Sequence, residues 1–286
     1  MQKIILITRD RMEVREDGES NASSSSNIKS MIAELEGKGF NLVLHKTIDV
    51  VRDEERVINA LNRFISSEYD FIVFMSVSAV RFIIDAIHAN GLEPSILNDR
   101  CYVIAVGPST RDELVKNGVK VDLIPSRYSS YGLIELFRSI KDDPKYSDKV
   151  RVFIPRSREA STLLADALTS LGFRVDEEHI YRIVPSRHDG WKKVAEYLAN
   201  GSLHHIIFTS SSSVNAFFTL INEYSKDDAI NAILKNGTGI VAIGPLTADT
   251  LRAYGLNPYV ADEHTVHGTL KLLLKIIHDA STYSAI

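Results

Sequence analysis

The sequence predicts an α/β protein of two similar doubly wound, flavodoxin-like lobes built from mostly parallel sheets, and three observations lead there. First, short apolar runs alternate with helical patterns along the whole chain. Ile4–Ile7, Phe71–Met75, Tyr102–Val106, Val150–Ile154, Ile206–Phe208 and Ile240–Ile243 read as buried strands. Second, the pattern occurs twice at nearly constant spacing. Gly39-Phe40 and Gly172-Phe173 lie 133 residues apart, and the Phe-x-Ser-x-Ser-x-Val runs containing Ser78 and Ser212 lie 134 apart. Gly107-Pro108 and Gly244-Pro245 lie 137 apart, and Gly132 and Gly268 lie 136 apart. Four matches in the same order indicate a duplication. Third, each strand runs into a polar or Gly-Pro turn that opens a helix, and ligands of such sheets bind beyond the strand C-termini. Two lobes facing each other would enclose one cleft walled by serine-rich turns and helix starts.

Taken in order, Lys3–Ile7 is a strand leaving through Thr8-Arg9. Arg11–Asn27, with Ser23 to Ser26, is too polar to pack and reads as a mobile loop, either an unstructured insertion or a lid at the cleft rim. A helix from about residue 27 to 36 places Ile28, Met31, Ile32 and Leu35 on one face, and Asn41–Val51 reads as a strand or connector. A helix over about 54–66 precedes the Phe71 strand, whose exit Ser76-Val77-Ser78 caps the next helix. The Tyr102 strand meets Gly107-Pro108, and Ser129-Ser130-Tyr131-Gly132 opens a further helix. Val150–Ile154 begins the second copy and leaves through Pro155-Arg156-Ser157. After a helix through Leu163 to Leu171, Glu178–Val184 is extended. Trp191–Leu198 is helical, Ile206–Phe208 exits through Thr209 to Ser212, and a helix runs to Tyr224. His267-Gly268 starts the last helix.

Composition bounds the function. The 286 residues are 44% hydrophobic and 24% charged, globular averages that suit two medium domains. A net charge of −4 argues against general nucleic-acid binding but leaves room for a small anion held by local donors. The single Cys101, in an apolar run, reads as a core residue and gives no disulfide framework. Met1 leads straight into Ile4–Ile7 without an export-signal pattern, and no apolar run approaches the roughly 20 residues that span a bilayer. A reducing, cytoplasmic setting is expected, with no membrane partner.

No P-loop, Gly-x-Ser-x-Gly elbow or His-Glu-x-x-His is present. Gly237-Thr-Gly239 precedes a strand instead of following one, so it is not a dinucleotide fingerprint. His204-His205 and His264-x-x-His267 lack further ligands nearby and read as strand or surface histidines. What remains is hydroxyls and helix starts. Copy one supplies Ser76, Ser78, Gly107, Ser109, Thr110, Ser129 and Ser130. Copy two supplies Thr209, Ser210, Ser211, Ser212, Gly244, Leu246 and Thr247. Pro245 suits the first helical position, and the N–H groups of Leu246 to Ala248 with the helix dipole then favour an anionic oxygen beside the Thr247 hydroxyl. Any one of these residues alone is an ordinary cap; their recurrence after strands in both copies points to binding. Arg9 and Arg156 leave equivalent strands and suit a carboxylate ligand or a surface salt bridge alike. Tyr181 is either a functional phenol or an amphipathic strand residue. A site rich in fixed donors and poor in bases suits a large polyanion held in one shape.

The layout resembles the uroporphyrinogen-III synthase family over nearly the whole chain. The matching segments are Ile-Leu-Ile-Thr-Arg9, Val-Phe-Ile-Pro-Arg156, His-Ile-Tyr-Arg-Ile-Val184, Ile-Phe-Thr-Ser-Ser-Ser-Ser-Val214 and Ala-Ile-Gly-Pro-Leu-Thr-Ala248. The resemblance implies a cofactor-free, cytoplasmic lyase of tetrapyrrole synthesis, acting as a monomer on hydroxymethylbilane. It implies loss of the ring A hydroxyl to an azafulvene, attack by the substituted α-carbon of ring D, and a spiro intermediate that recloses with ring D inverted. That substrate carries eight carboxylates, in keeping with the donor-rich site. The family also implies lobes that exchange their first βα units, about 1–45 plus 185–286 and about 46–184, tied by connector strands near 41–50 and 178–186. Its cleft tyrosine matches Tyr181, a candidate general acid that helps without being essential. Its Gly-Pro-x-Thr threonine matches Thr247, and its serine-rich turn matches Thr209 to Ser212. The Arg11–Asn27 loop departs from the family, and Met75-Ser76-Val77 is poorer in hydroxyls than its counterpart. A non-catalytic two-lobe sensor of a small anionic ligand is the competing reading.

Overall fold

The computed structural model describes residues 3–9, 22–141, 150–224 and 228–283. Its strands are β1 (Lys3–Ile7), β2 (Phe40–Leu44), β3 (Ile48–Arg52), β4 (Phe71–Phe74), β5 (Tyr102–Ala105), β6 (Arg151–Ser157), β7 (Arg174–Pro185), β8 (Leu203–Phe208), β9 (Gly239–Ala242) and β10 (Tyr259–Val260). The chain forms two compact units, one of residues 1–49 and 184–286 and one of residues 50–183.

In the first unit the sheet runs β2-β1-β8-β9-β10, with all four pairings parallel. This is the flavodoxin-like order, in which the connections reverse direction between β1 and β8. The second unit runs β3-β7-β6-β4-β5, and Leu123 adds a parallel bridge to Ile104 beyond β5. Apart from β3, the two orders coincide: β6 stands for β1, β7 for β2, β4 for β8 and β5 for β9. Strand β3 is the exception. The Asp53 N–H donates to the Ile180 carbonyl at 3.0 Å and the Ser186 N–H to the Thr47 carbonyl at 2.9 Å, so β3 runs antiparallel to β7. Along these two strands the chain passes from one unit to the other.

Each sheet is apolar on both faces because its strands are buried on both sides. In the first unit Ile4, Leu6, Ile206, Phe208, Ile240 and Ala242 join one core cluster, while Ile5, Ile7, Ile207 and Val241 join another. In the second, Ile72, Phe74, Val103 and Phe153 alternate with Phe71, Val73, Ile104, Val152 and Ile154 in the same way. The helix predicted near residue 27 begins at Ala22, so part of the expected Arg11–Asn27 loop is helical. Serine is a middling helix former, and a serine run does not by itself mark a boundary. The rest of that loop, residues 11–21, lies outside the described residues. Ile28 and Leu35 are buried as the periodicity requires, with Met31 and Ile32 packed beside them. The extended stretch expected over Glu178–Val184 is the second half of the longer β7. The short helices Ile96–Arg100 and Ala229–Asn236 have no counterpart in the sequence reading. Cys101 is half-buried, and burial pushes its thiol pKa up to about 12.

The glycine pair 136 residues apart has a steric origin. A Cβ on Gly132 would lie 1.9 Å from the Arg127 carbonyl oxygen, and one on Gly268 would lie 2.2 Å from that of Glu263. In both copies the loop before the helix folds back onto its first turn. Gly132→Ala and Gly268→Ala should each cost roughly 2 kcal/mol. Gly37→Ala, whose new Cβ meets nothing within 4 Å, should change stability by less than about 1 kcal/mol. Urea unfolding of the three variants checks the contrast.

His205, on β8, packs its ring 5.8 Å from that of Phe40 and leaves Nδ1 buried without a hydrogen-bond partner. Burial, reinforced by His204, lowers its pKa to about 4. The folded state therefore holds it neutral while the unfolded chain binds a proton near pH 6.5. This contribution is complete above about pH 6.5 and is lost as pH falls towards about 4. Unfolding free energies of His205→Gln should vary less across that window than those of the parent chain.

Candidate functional site

In the first unit the C-terminal ends of β1 and β8 meet where the strand order reverses, the place where open α/β sheets bind ligands. Thr8, 3% exposed, lies within hydrogen-bond distance of the Ile207 carbonyl at 3.0 Å and of the Ser213 hydroxyl at 3.1 Å. Ser213, 1% exposed, donates its hydroxyl to the Ser210 carbonyl at 2.7 Å and accepts the Ser210 N–H at 3.1 Å. The Ser210 hydroxyl accepts the Ser213 N–H at 3.0 Å, capping the helix Ser211–Tyr224. Thr209 closes the lattice by donating to the Thr8 carbonyl at 3.1 Å. Thr8 and Ser213 hold this turn together, yet neither stood out in sequence. The signal was present, since Thr8 ends the first strand and Ser213 extends the serine run by one.

The helix Pro245–Ala253 starts beside this turn, and Ser211 donates to the Leu246 carbonyl at 3.0 Å. Gly244 is extended and contributes no side-chain cap, so the N–H groups of Leu246 and Thr247 have no acceptor within the helix. The Ala248 N–H, expected to be a third such donor, bonds the Gly244 carbonyl at 3.0 Å. Leu246 is 74% exposed, whereas Thr247, whose hydroxyl was expected beside the anion, is buried at 4%. Arg9 is half-buried, and its guanidinium has no ion-pair partner among the described residues.

The second unit repeats the frame with different chemistry. Ser76 caps the helix Val77–Ala89, its hydroxyl accepting the Ala79 N–H at 3.1 Å, as Ser210 does in the other copy. Ala79 stands where the other copy has Ser213. Gly107 matches Gly244, with Arg111 bonded to its carbonyl at 3.0 Å and Ser109 and Thr110 left as open N–H donors. Ser109 is exposed, Thr110 is buried like Thr247, and Ser78 and Ser130 are half-buried. Ser129 accepts the Gly132 N–H at 3.3 Å, as Thr265 does for Gly268 at 3.0 Å.

Tyr181, on β7, places its hydroxyl 2.9 Å from that of Ser76 and its ring edge-on to Phe82 at 5.6 Å. Burial raises the phenol pKa, while the Ser76 hydrogen bond and Arg156 pull it back. Arg156 itself is turned inward. It is 4% exposed, ion-paired to Glu177 and donating to the Ser161 carbonyl at 2.9 Å, with Nε buried and unbonded. Burial thus separates two arginines that looked equivalent in sequence: the Arg156 guanidinium is engaged internally. Ser157 and the Ile183 N–H both donate to Glu159 at 2.8 Å, fixing the loop beside Tyr181.

Among the described residues no three His, Cys, Asp or Glu side chains gather as a metal group, and no helix is long and apolar enough to cross a membrane. An open depression of about 420 Å³ lined by Tyr69, Asp70, Arg100, Cys101, Tyr102 and Asp122 lies at the N-terminal ends of β4 and β5. That is the opposite sheet edge from the hydroxyl turns. Two of its acids are engaged, Asp70 by the Arg151 N–H at 2.7 Å and Asp122 by the Val103 N–H at 2.9 Å.

The family model described as uroporphyrinogen-III synthase HemD matches residues 29–271. The chain belongs to the uroporphyrinogen-III synthase family. Members of this family are lyases of tetrapyrrole biosynthesis. The uroporphyrinogen-III synthase of Chlorobaculum parvum is 25% identical over 235 residues, which cover 82% of this chain and 87% of the relative. A crystal structure of a mutant uroporphyrinogen III synthase from Thermus thermophilus superposes with a TM-score of 0.61 at 20% identity, over 97% of this chain and 99% of that one. That of uroporphyrinogen-III synthetase from Helicobacter pylori gives 0.58 at 14% identity, over 96% and 100%. These two structures share the fold.

Within this uroporphyrinogen-III synthase family member, the Thr8–Ser213–Ser210 lattice makes a specific demand. Ser213→Ala leaves the Ser210 N–H without its buried acceptor and should cost roughly 1–3 kcal/mol in urea unfolding. Ser212→Ala, with no such bond, should cost less than about 0.5 kcal/mol.

Proposed function

We propose that the chain closes hydroxymethylbilane to uroporphyrinogen III, with loss of water and inversion of ring D. The observation that carries this reading is the recurrence of one donor set in both units. Each unit offers a serine-capped turn and a Gly-Pro helix start with open N–H groups, all at the C-terminal edge of its sheet. Family membership supplies the substrate class. A helix start favours a nearby anion by about 0.3–1 kcal/mol, and up to about 2 when partly buried, so several starts together can bias the shape of a flexible octacarboxylate. Binding of that kind needs no basic surface overall, in keeping with the net charge of −4.

In this reading the open N–H groups of Ser109, Thr110, Leu246 and Thr247, the half-buried hydroxyls and Arg9 take up carboxylates. Arg156 belongs to the scaffold beneath Tyr181. Tyr181 is the general acid: its O–H protonates the ring A hydroxyl as the C–O bond breaks, and water leaves. The cation formed gives its pyrrole N–H proton to the phenolate, which yields the neutral azafulvene and restores the phenol. The substituted α-carbon of ring D then attacks, and the spiro intermediate fragments and recloses inverted. A raised phenol pKa keeps the proton in place at neutral pH. We take the protein to act in the cytoplasm as a monomer, without cofactor, metal or nucleic acid.

Incubation with enzymatically generated hydroxymethylbilane, oxidation and separation of the porphyrin isomers tests this. Isomer III should exceed the no-enzyme control, and parity with that control would sink the assignment. Tyr181→Phe should slow closure about tenfold without abolishing it, towards the low end of what a positioned acid contributes. An unchanged rate would remove the acid role.

A further inference from the structure

Ser76 makes two hydrogen bonds through one oxygen. Oγ accepts the Ala79 N–H at 3.1 Å and lies 2.9 Å from the Tyr181 phenolic oxygen. A serine hydroxyl has one proton and two acceptor positions, so the cap uses one acceptor position and leaves the proton to be placed. Among the described residues the phenolic oxygen is the one acceptor that the Ser76 proton meets. If Tyr181 donated instead, its proton would be spent on Ser76 and the serine proton would have no acceptor among the described residues.

We propose that Ser76 is a positioning residue that donates its hydroxyl to the phenolic oxygen of Tyr181, leaving the phenol O–H free for the substrate and bracing the phenolate that forms when that proton is given up. This rests on the general-acid role of Tyr181 proposed above. The surroundings support it. Ser76 opens the helix Val77–Ala89, so the partial positive charge of that helix start lies behind the hydrogen bond. Of the charged groups acting on the phenol, Arg156 favours the phenolate and Glu159 opposes it. Glu159 is itself occupied by the Ser157 hydroxyl and the Ile183 N–H. Capping does not by itself produce this arrangement. Ser210 caps its helix in the same way in the other copy, and there the neighbouring hydroxyls belong to Thr8 and Ser213.

Substitution can separate the cap from the hydrogen bond. Aspartate caps a helix as well as serine does, but when ionised it only accepts hydrogen bonds. Ser76→Asp, Ser76→Ala and Ser76→Thr are made in the parent chain, and Ser76→Asp also in a Tyr181→Phe background. Formation of isomer III should fall about tenfold in Ser76→Asp, the size of the Tyr181→Phe loss, while Ser76→Thr keeps most of the rate. In the Tyr181→Phe background Ser76→Asp should cost less than about twofold, because the two residues act as one unit. A readout independent of turnover comes from protein carrying 3-fluorotyrosine, with the Tyr181 fluorine resonance assigned by its loss in Tyr181→Phe. Its titration midpoint should rise in Ser76→Ala and Ser76→Asp and stay in place in Ser76→Thr. The proposal is overturned if Ser76→Ala leaves the midpoint where it was, or if Ser76→Asp costs as much in the Tyr181→Phe background as in the parent chain. If the parent chain forms no isomer III, the catalytic part falls with the function proposed above, while the fluorine titration still decides whether Ser76 donates to Tyr181.

Discussion

The parallel pairing of β1 with β8 joins residues that are far apart in the chain, with Thr8 bonded to Ile207 across a separation of 199 positions. It inserts the first strand into the middle of a sheet whose remaining members, β2 apart, come from the last third of the sequence. Both core clusters of that unit need it, because Ile4 and Leu6 face one and Ile5 and Ile7 the other. The reversal of strand order arises there too, and with it the place where Thr8 can reach Ser213. Without β1, β2 and β8 would both become edges, and the hydroxyl lattice would lose the threonine that ties its two sides together.

The duplicated frame carries divergent chemistry. Geometry that depends on backbone is kept in both copies: the serine caps, the extended Gly107 and Gly244, and the tight approach at Gly132 and Gly268. What differs is placed on side chains. Ser213 gives one copy a rigid hydroxyl lattice, where Ala79 leaves the equivalent space in the other and Tyr181 meets the cap instead. Arg9 keeps its guanidinium unpaired among the described residues, and Arg156 is consumed by Glu177 and Ser161. A symmetric scaffold can thus offer similar helix starts with open N–H groups in both units while confining one phenol to one of them.

Much of this fold is legible in the sequence because its signals are local or periodic. Apolar runs bounded by Gly-Pro or serine turns mark parallel strands, and constant spacing between turns marks the duplication. Residue types at helix starts also follow from local rules, which is why Ser76, Ser129 and Ser210 could be named. What could not be read depends on partners distant in sequence. Whether an arginine at a strand end faces solvent or the core is decided by Glu177 on the neighbouring strand, and nothing in Pro-Arg-Ser reveals it. Ser213 looks like one serine among several until Thr8 is placed beside it. The buried positions of Thr110 and Thr247 likewise depend on what packs over each helix start. The short helix Ala229–Asn236 escaped notice because two turns give too few residues for periodicity to show.

The discontinuity of the first unit has a bearing on biosynthesis. Residues 50–183 form a continuous stretch whose sheet can be completed while the chain is still being made, apart from the first residues of β3. Residues 1–49 cannot close their sheet until β8 exists, about 150 residues later, a wait on the order of ten seconds or more at ordinary translation rates. Throughout that interval Ile4 to Ile7, among the most thoroughly buried side chains in the finished protein, have β2 as a partner on one side and an open edge on the other, where β8 will pair. The apolar run that anchors the mature sheet is therefore also an unpaired strand edge for as long as the chain takes to reach β8.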